Sequence, residues 1–359
     1  MLTLSAADVA AHLDYPSLIN ALNQGFAGDF SAPPRQLYAL SPDKTGNHDA
    51  FALLPAWNDR YISVKAFTYL PDNGQHNLPV LHSQLMLFAR KSGAPLAFID
   101  GVSVTCARTA AVSALAAFHL ARSDSHTLLL LGTGNLAMPL LRAHLSVRPL
   151  RRILLWGRSL QKAQQLQQQA MSELLPLYPK LGIVVVEDLA QAQSNSDIIV
   201  SATGSAEPLL FGARIKPGSH VDLLGNHNVD KRECDSALVQ KARVFVDDKN
   251  NVLKEAGELL LPIAEGCFKA TDIQADLATL CREGHATITA ACLTEQAAAT
   301  ALPPARQSYN DITLFKSVGT ALSDLLCAAL VLERYQQALM LQELAPKVVV
   351  QPEPGHTTA

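Results

Sequence analysis

Residues 5–28 read as helix, with Ser5 and Asp8 set as a capping box and Pro16 suited to the first turn of a second helix. From Phe51 to Ile99 the pattern changes to short apolar or alternating runs, Tyr61–Leu70 and Val80–Ala89 among them. These are broken by Pro71-Asp72-Asn73-Gly74 and Lys91-Ser92-Gly93-Ala94. Such alternation between turn signals predicts antiparallel strands. An alanine-rich helix is expected from Arg108 to Ala121.

Beyond His126 strand-like and helix-like segments alternate, with strands expected at 127–131, 151–156, 183–187, 197–202, 219–224 and 243–247. Repeated β-α alternation implies right-handed crossovers and a parallel, doubly wound sheet. From Leu314 to Leu344 apolar residues at three- and four-residue spacing predict one long helix that packs back on the first domain. The expected fold class is therefore α/β, a Rossmann sheet plus a discontinuous α+β domain. The division is 1–120 with 311–350, and 121–310 for the Rossmann domain. A tail at 351–359, rich in proline and threonine, is expected to be disordered.

A chain of 359 residues suits two domains, and 48% apolar content supplies both cores. The formal charge of -3 gives no basic footprint for nucleic acid or an anionic membrane surface. Cys106, Cys234, Cys267, Cys281, Cys292 and Cys327 include no C-x-x-C pair, which suits reduced thiols. The N-terminus lacks a signal-peptide pattern, and no apolar run approaches the ~20 residues of a membrane span, so a cytoplasmic location is expected.

One motif carries chemistry directly. Leu128–Leu131 runs into Gly132-Thr133-Gly134-Asn135-Leu136-Ala137 and then a helix, which is G-x-G-x-x-A after a strand. Gly132 allows the tight turn, Gly134 lets backbone approach a pyrophosphate, and Ala137 keeps helix and strand close. This predicts a dinucleotide site. At the end of the second strand, where NAD sites carry an acid for the ribose 2′-hydroxyl, the chain reads Leu155-Trp156-Gly157-Arg158-Ser159. Arg158, with Ser159 and Lys162, suits a 2′-phosphate, so NADPH is expected over NADH, with NADH still accepted. The other reading of Arg158 is a solvated loop residue. The eleven histidines show no metal-ligand spacing, and no metal is expected.

Three cations stand out in the first domain: Arg35 after Pro33-Pro34, Lys65 in the strand-like Ser63–Phe67, and Arg108 at the start of the alanine-rich helix. A cation on an apolar strand needs a partner, and a substrate carboxylate is a natural one. Singly, each is more often a member of a structural ion pair.

Together with Val64-Lys65, Asn73, Leu78-Pro79, Ser92-Gly93, Thr105 to Ala117, and Phe315-Lys316-Ser317-Val318-Gly319 with Asp324, these residues resemble the ornithine cyclodeaminase/μ-crystallin family over nearly the whole chain. The resemblance implies a homodimer formed through the antiparallel sheet and a small α-amino or α-imino acid substrate. It implies that Arg35, Lys65 and Arg108 hold the substrate carboxylate. It also puts Thr203, His227, Ser317, Val318 and Gly319 at the cofactor. Deaminating members carry an aspartate where this chain has His227, and a glutamate where it has Ala52. Gly132 to Ala137 with Pro139, Ala143-His144, Trp156-Gly157-Arg158 and His82 look instead like the bacterial branch that reduces Δ1-pyrroline-2-carboxylate to L-proline. The six-membered Δ1-piperideine analogue is expected as a second substrate. His82, His227 and Lys65 are the candidate catalytic residues, and for each histidine a structural role or a cofactor contact is the alternative. The alternative functions are an amino-acid dehydrogenase or ornithine cyclodeaminase of the same family, or a non-catalytic μ-crystallin-like protein that binds NADPH and a small ligand.

Overall fold

A computed structural model describes residues 1–40, 49–284 and 302–344. Cys292 and the tail at 351–359 lie outside the described residues. The N-terminal third forms β1 (Leu2–Leu4), α1 (Ala6–Ala11), α2 (Tyr15–Ala27), β2 (Gln36–Ala39), β3 (Ala50–Trp57), β4 (Tyr61–Tyr69), β5 (Leu81–Ala89) and β6 (Pro95–Asp100). The six strands make one sheet in the order β1-β6-β5-β4-β3-β2, antiparallel except where β1 runs parallel to β6. The helical stretch expected at 5–28 is two helices. Ser5 and Asp8 close a reciprocal capping box on the first, and Asp14 caps the second.

Alternation along the strands gives the sheet a dry inner face. Lys65 sits in one cross-strand row with Leu54, Leu85 and Ile99, all buried. Over this face lies α3 (Gly101–Leu120), which starts seven residues earlier than the sequence predicts because Asp100 caps it, accepting from the Ser103 amide at 2.7 Å. A Cβ at Gly101 would fall 2.3 Å from Ser83 Oγ, so glycine lets the first turn rest directly on β5. The helix is long and apolar enough to cross a membrane, yet most of it is buried, and it packs against α2, the first helix of the second half and the last helix of the chain.

The second half alternates as expected. It comprises β7 (Thr127–Leu131), α4 (Ala137–Leu145), β8 (Arg152–Trp156), α5 (Leu160–Leu174), β9 (Gly182–Val185), α6 (Leu189–Asn195), β10 (Ile198–Ser201) and β11 (His220–Leu223). There follow α7 (Ser236–Lys241), β12 (Arg243–Val246), α8 (Lys249–Glu255), α9 (Gly257–Ala264), β13 (Ala275–Asp276), α10 (Leu277–Glu283), β14 (Thr313–Lys316) and α11 (Ala321–Leu344). Eight parallel strands form one sheet in the order β13-β12-β14-β11-β10-β7-β8-β9. The order reverses between β7 and β10, which opens a crevice at their C-terminal ends.

One expectation needs correction. Residues 313–316 are a strand and not the start of the last helix. Thr313–Lys316 inserts between β11 and β12, and its four side chains are buried. The boundary expected at 311 therefore cuts into the parallel sheet. The chain turns at Gly319, with φ +88°, and only then enters α11, which packs on α2, α3 and strands β3–β5.

Candidate active site

The glycine loop has the shape a pyrophosphate requires. Gly132 has φ +116°, and a Cβ there would lie 2.6 Å from the Ala202 carbonyl oxygen, so only glycine fits. Gly134 faces open space, and α4 begins beyond it with no side chain capping its first amides. Ala137 N donates to the Gly134 carbonyl at 2.9 Å and Pro139 has no N–H, so among the described residues the Met138 amide is the one left in that turn for an anion. The end of β8 comes against this loop, since a Cβ on Gly157 would meet Thr133 Cγ2 at 2.7 Å. Arg158, next in the chain, is exposed, and among the described residues no hydrogen bond or ion pair engages its side chain. Ser159 caps α5 by accepting from the Lys162 amide at 3.3 Å.

From the glycine loop a continuous line of contacts runs along the strand ends. Glu233, fully buried, accepts from Ser201 Oγ at 2.6 Å, Thr203 Oγ1 at 2.7 Å, and the amides of Thr203 and Gly225 at 2.8 and 2.7 Å. One carboxylate thus fixes the loops after β10 and β11. Beside it Lys316 Nζ, also fully buried, pairs with Glu258 Oε2 at 2.9 Å and donates to the Asn226 carbonyl at 2.6 Å. Asp247, at the end of β12, gathers the turn before α11. Its Oδ2 accepts from Ser317 Oγ at 2.7 Å, Val318 N at 3.0 Å and Gly319 N at 2.6 Å. Burial raises the carboxyls of Glu233 and Asp247 against these donors. Sequence reasoning assigns no role to Glu233, Glu258 or Asp247. The available signal is an acid at or just past the end of an apolar strand, Val246-Asp247.

The same turn meets two of the three cations, Arg108 and Arg35. A Cβ on Gly319 would lie 3.0 and 3.2 Å from Arg108 Nη1 and Nη2, so the bare backbone lies against the guanidinium. Arg108 Nε is 2.9 Å from Asp324 Oδ1, and Lys65 Nζ is 2.7 Å from Asp324 Oδ2 and 3.2 Å from Thr105 Oγ1. Lys65, Arg108 and Asp324 are 4%, 7% and 1% exposed, so this is a desolvated charge cluster and not a surface ion pair. Burial would raise the Asp324 carboxyl, but Arg108 and Lys65 hold it below the ordinary range. Burial pushes the Lys65 ammonium down to about 8 against the opposing pull of Asp324. Arg35 completes the set: it pairs with Glu255 at 2.6 Å and donates to the Val318 carbonyl at 3.2 Å.

Not every candidate residue joins this group. His227 lies on the loop after β11, reached by solvent but crowded by protein, and its imidazole is lowered by burial and then by Arg35 and Lys316. His82 is apart. Lys65 pairs with Leu85 and His82 with Thr68, so the two-residue pleat turns His82 to the outer, exposed face of the sheet. Ala52 is fully buried on the inner face. A separate cavity of about 680 Å³ between α2, the β3–β4 turn and α11 holds none of these residues.

Comparison with known proteins agrees with this geometry. Residues 2–338 match the model of the ornithine cyclodeaminase/mu-crystallin family. The chain is 46% identical over 335 residues to the Δ1-pyrroline-2-carboxylate reductase of Colwellia psychrerythraea, covering 93% of this chain and 99% of that protein. It is 34% identical to the Paracoccus denitrificans protein of the same name, covering 91% and 94%. Among solved structures, Δ1-pyrroline-2-carboxylate reductase of Thermococcus litoralis, in complex with NADH and L-proline, superposes with a TM-score of 0.81 at 28% identity, covering 94% and 98%. By its sequence over nearly all its length, and by the fold that sequence takes, the chain belongs to the ornithine cyclodeaminase/mu-crystallin family.

Proposed function

We propose that this chain reduces the cyclic imino acid Δ1-pyrroline-2-carboxylate to L-proline, and its six-membered analogue to L-pipecolate, with a nicotinamide dinucleotide. The observation that carries the reading is the pair of buried cations, Lys65 and Arg108, sharing the single carboxylate of Asp324 beside the strand-end crevice. Two cations and one anion leave a net charge of +1, which a substrate carboxylate neutralises. Relatives at 46% and 34% identity that bear this reductase name support the choice of substrate. One methylene is worth only ~1–3 kcal/mol of discrimination, so overlap between ring sizes follows.

Reduction of the C=N bond takes up one hydride at C2 and one proton at nitrogen. When bound, the nicotinamide supplies the hydride. Arg108 and Arg35 orient the carboxylate, so that C2 is held in near-attack geometry, ~3–3.5 Å from the donor carbon. Lys65, with its proton loosened by burial to about 8, is the residue we assign to hold a proton near the ring nitrogen. His227, exposed on the loop after β11 with its imidazole lowered by surrounding protein and the nearby Arg35 and Lys316, borders the proposed site as a relay candidate. Gly132 to Ala137 would hold the pyrophosphate, and Ser317 to Gly319 would border the nicotinamide. Arg158, exposed beside the glycine loop, favours NADPH over NADH. A second copy of the chain, covering Leu37 and Tyr38 on edge strand β2 and Val80 and Leu81 at the start of β5, accounts for apolar residues left 63%, 49%, 39% and 38% exposed.

The test is a panel in which NADPH and NADH are each offered with the two cyclic imino acids or with pyruvate plus ammonia, and L-ornithine is offered with NAD. Cofactor oxidation is expected with both imines without ammonia, and ornithine should release none. Turnover dependent on ammonia would make the chain a dehydrogenase, and proline formed from ornithine would make it a cyclodeaminase. Cofactor binding without any turnover would make it a binding protein.

A further inference from the structure

The charge cluster uses its donors in a specific way. Arg108 meets Asp324 through Nε, which leaves the Nη1–Nη2 edge, the edge that faces Gly319, for a ligand. Lys65 Nζ is ion-paired with Asp324 Oδ2 at 2.7 Å and donates to Thr105 Oγ1, whose own proton goes to the Gly101 carbonyl at 2.7 Å. Asp324 itself is anchored in the first turn of α11, the helix that covers the inner face of the sheet, and is fully enclosed.

We infer that Asp324 is a positioning residue for the reaction: its two oxygens, one on each cation, aim Lys65 and Arg108 at the substrate and keep Lys65 charged at neutral pH. The inference rests on the imine-reductase reading for its purpose, and on the ion-pair geometry for its content. The groups facing Lys65 are Asp324 and Cys327 from α11, Arg108 and Thr105 from α3, and Arg35 from the segment before β2. Its neighbours across the strands, Leu54 and Leu85, carry no charge. The Cys327 thiol is raised by burial and stays neutral. Asp324 is thus the carboxylate in contact with Lys65. Without it, burial and the field of two arginines both favour the neutral amine, and the two oxygens that aim the cations are gone.

The experiment compares wild type with Asp324→Asn in two readouts. One is the pH midpoint at which Lys65 becomes reactive to acetic anhydride, followed by peptide mass spectrometry. The other is the alkaline limb of the kcat/KM profile with the cyclic imine. Loss of an opposite charge at contact distance should move the Lys65 midpoint, and the limb with it, to lower pH by about one unit or more. A folded Asp324→Asn protein with an unmoved midpoint overturns the inference, because a purely structural tie would lower stability without shifting a titration. If the Asn variant does not fold, Asp324→Glu decides. It retains the charge on a longer arm, so its midpoint should stay near that of wild type while kcat/KM falls, and a midpoint displaced to lower pH contradicts the inference. A wild type that shows no imine turnover, yet whose Lys65 midpoint depends on Asp324, would overturn the reductase reading and leave the charge assignment standing.

Discussion

At the residue scale, the proposed preference for NADPH rests on charge at one position. The end of β8 presents Arg158 to solvent beside the glycine loop, with no carboxylate in Leu155–Ser159 to repel a 2′-phosphate. A hydrogen bond to a charged group contributes ~1.5–3 kcal/mol, and a partly solvated phosphate uses the lower end. Arg158→Ala should therefore lower the ratio of kcat/KM for NADPH to that for NADH by about tenfold, chiefly through KM for NADPH. Steady-state kinetics at saturating imine check this, and an unmoved ratio makes Arg158 an ordinary surface residue. The cations Arg35, Lys65 and Arg108 were legible in the sequence because a charge in an apolar run is conspicuous. Asp247, Glu233 and Glu258 were not. An acid in a loop reads the same whether it faces water or collects four backbone and side-chain donors, and only the packing of distant strands distinguishes the two.

At the scale of elements, the turn between β14 and α11 joins Asp247 to Arg108, and in the proposed site it would link the cofactor to the substrate. Asp247 holds its backbone, and Gly319 brings that backbone against Arg108. Gly319→Ala puts a Cβ at positive φ, at a cost of ~1–2 kcal/mol in conformation alone. The same Cβ also crowds Nη1 and Nη2 at 3.0 and 3.2 Å. The expected outcome is a modest fall in Tm, a larger fall in kcat/KM for the imine, and nearly unchanged cofactor affinity. Calorimetry, kinetics and cofactor titration measure the three, and equal losses of substrate and cofactor binding would contradict the placement. Parallel strands β7 to β12 were readable from local alternation, whereas the two-residue β13 was not. Strand β14 was not, because Leu314, Phe315 and the residues after them fit a helical spacing as well. Its strand character comes from pairing with β11 and β12, elements remote in sequence. In the same way Arg108 was legible as the start of a helix, while the true start at Gly101 depends on a cap and on contact with Ser83.

Across the whole molecule, buried titratable groups tie the two sheets together and set how stability varies with pH. Ser113 on α3 bridges Asp222 on β11 and His144 on α4, contacting the histidine at 2.9 Å. Burial lowers His144 to about 3, His119 to about 4, and His220 well below its ordinary value, while it raises Asp222 to about 7. A histidine depressed in the folded state loses its stabilising contribution as pH falls below about 6.5, when the unfolded chain takes up protons. Asp222 acts in the opposite sense: its contribution is full below the usual carboxyl value and declines as pH rises towards 7. The unfolded chain protonates all three histidines within this window, and although the raised carboxyls of Asp222, Glu233, Asp247 and Glu255 act against them, Tm is expected to be lower at pH 5 than at pH 7. Asp222→Asn, which removes one opposing group, should widen that difference. Scanning calorimetry at the two pH values checks both, and a Tm that rises on acidification would contradict the burial of the histidines as neutral groups.

The central claim is that a hydride passes to C2 of a cyclic imino acid held by Lys65 and Arg108. The most direct measurement uses cofactor deuterated at the transferring C4 position, with Δ1-pyrroline-2-carboxylate and no ammonia, and determines the mass and label position of the product. Proline carrying one deuterium, located at C2, is the predicted result. Unlabelled proline, or no proline while the cofactor is bound, would contradict it.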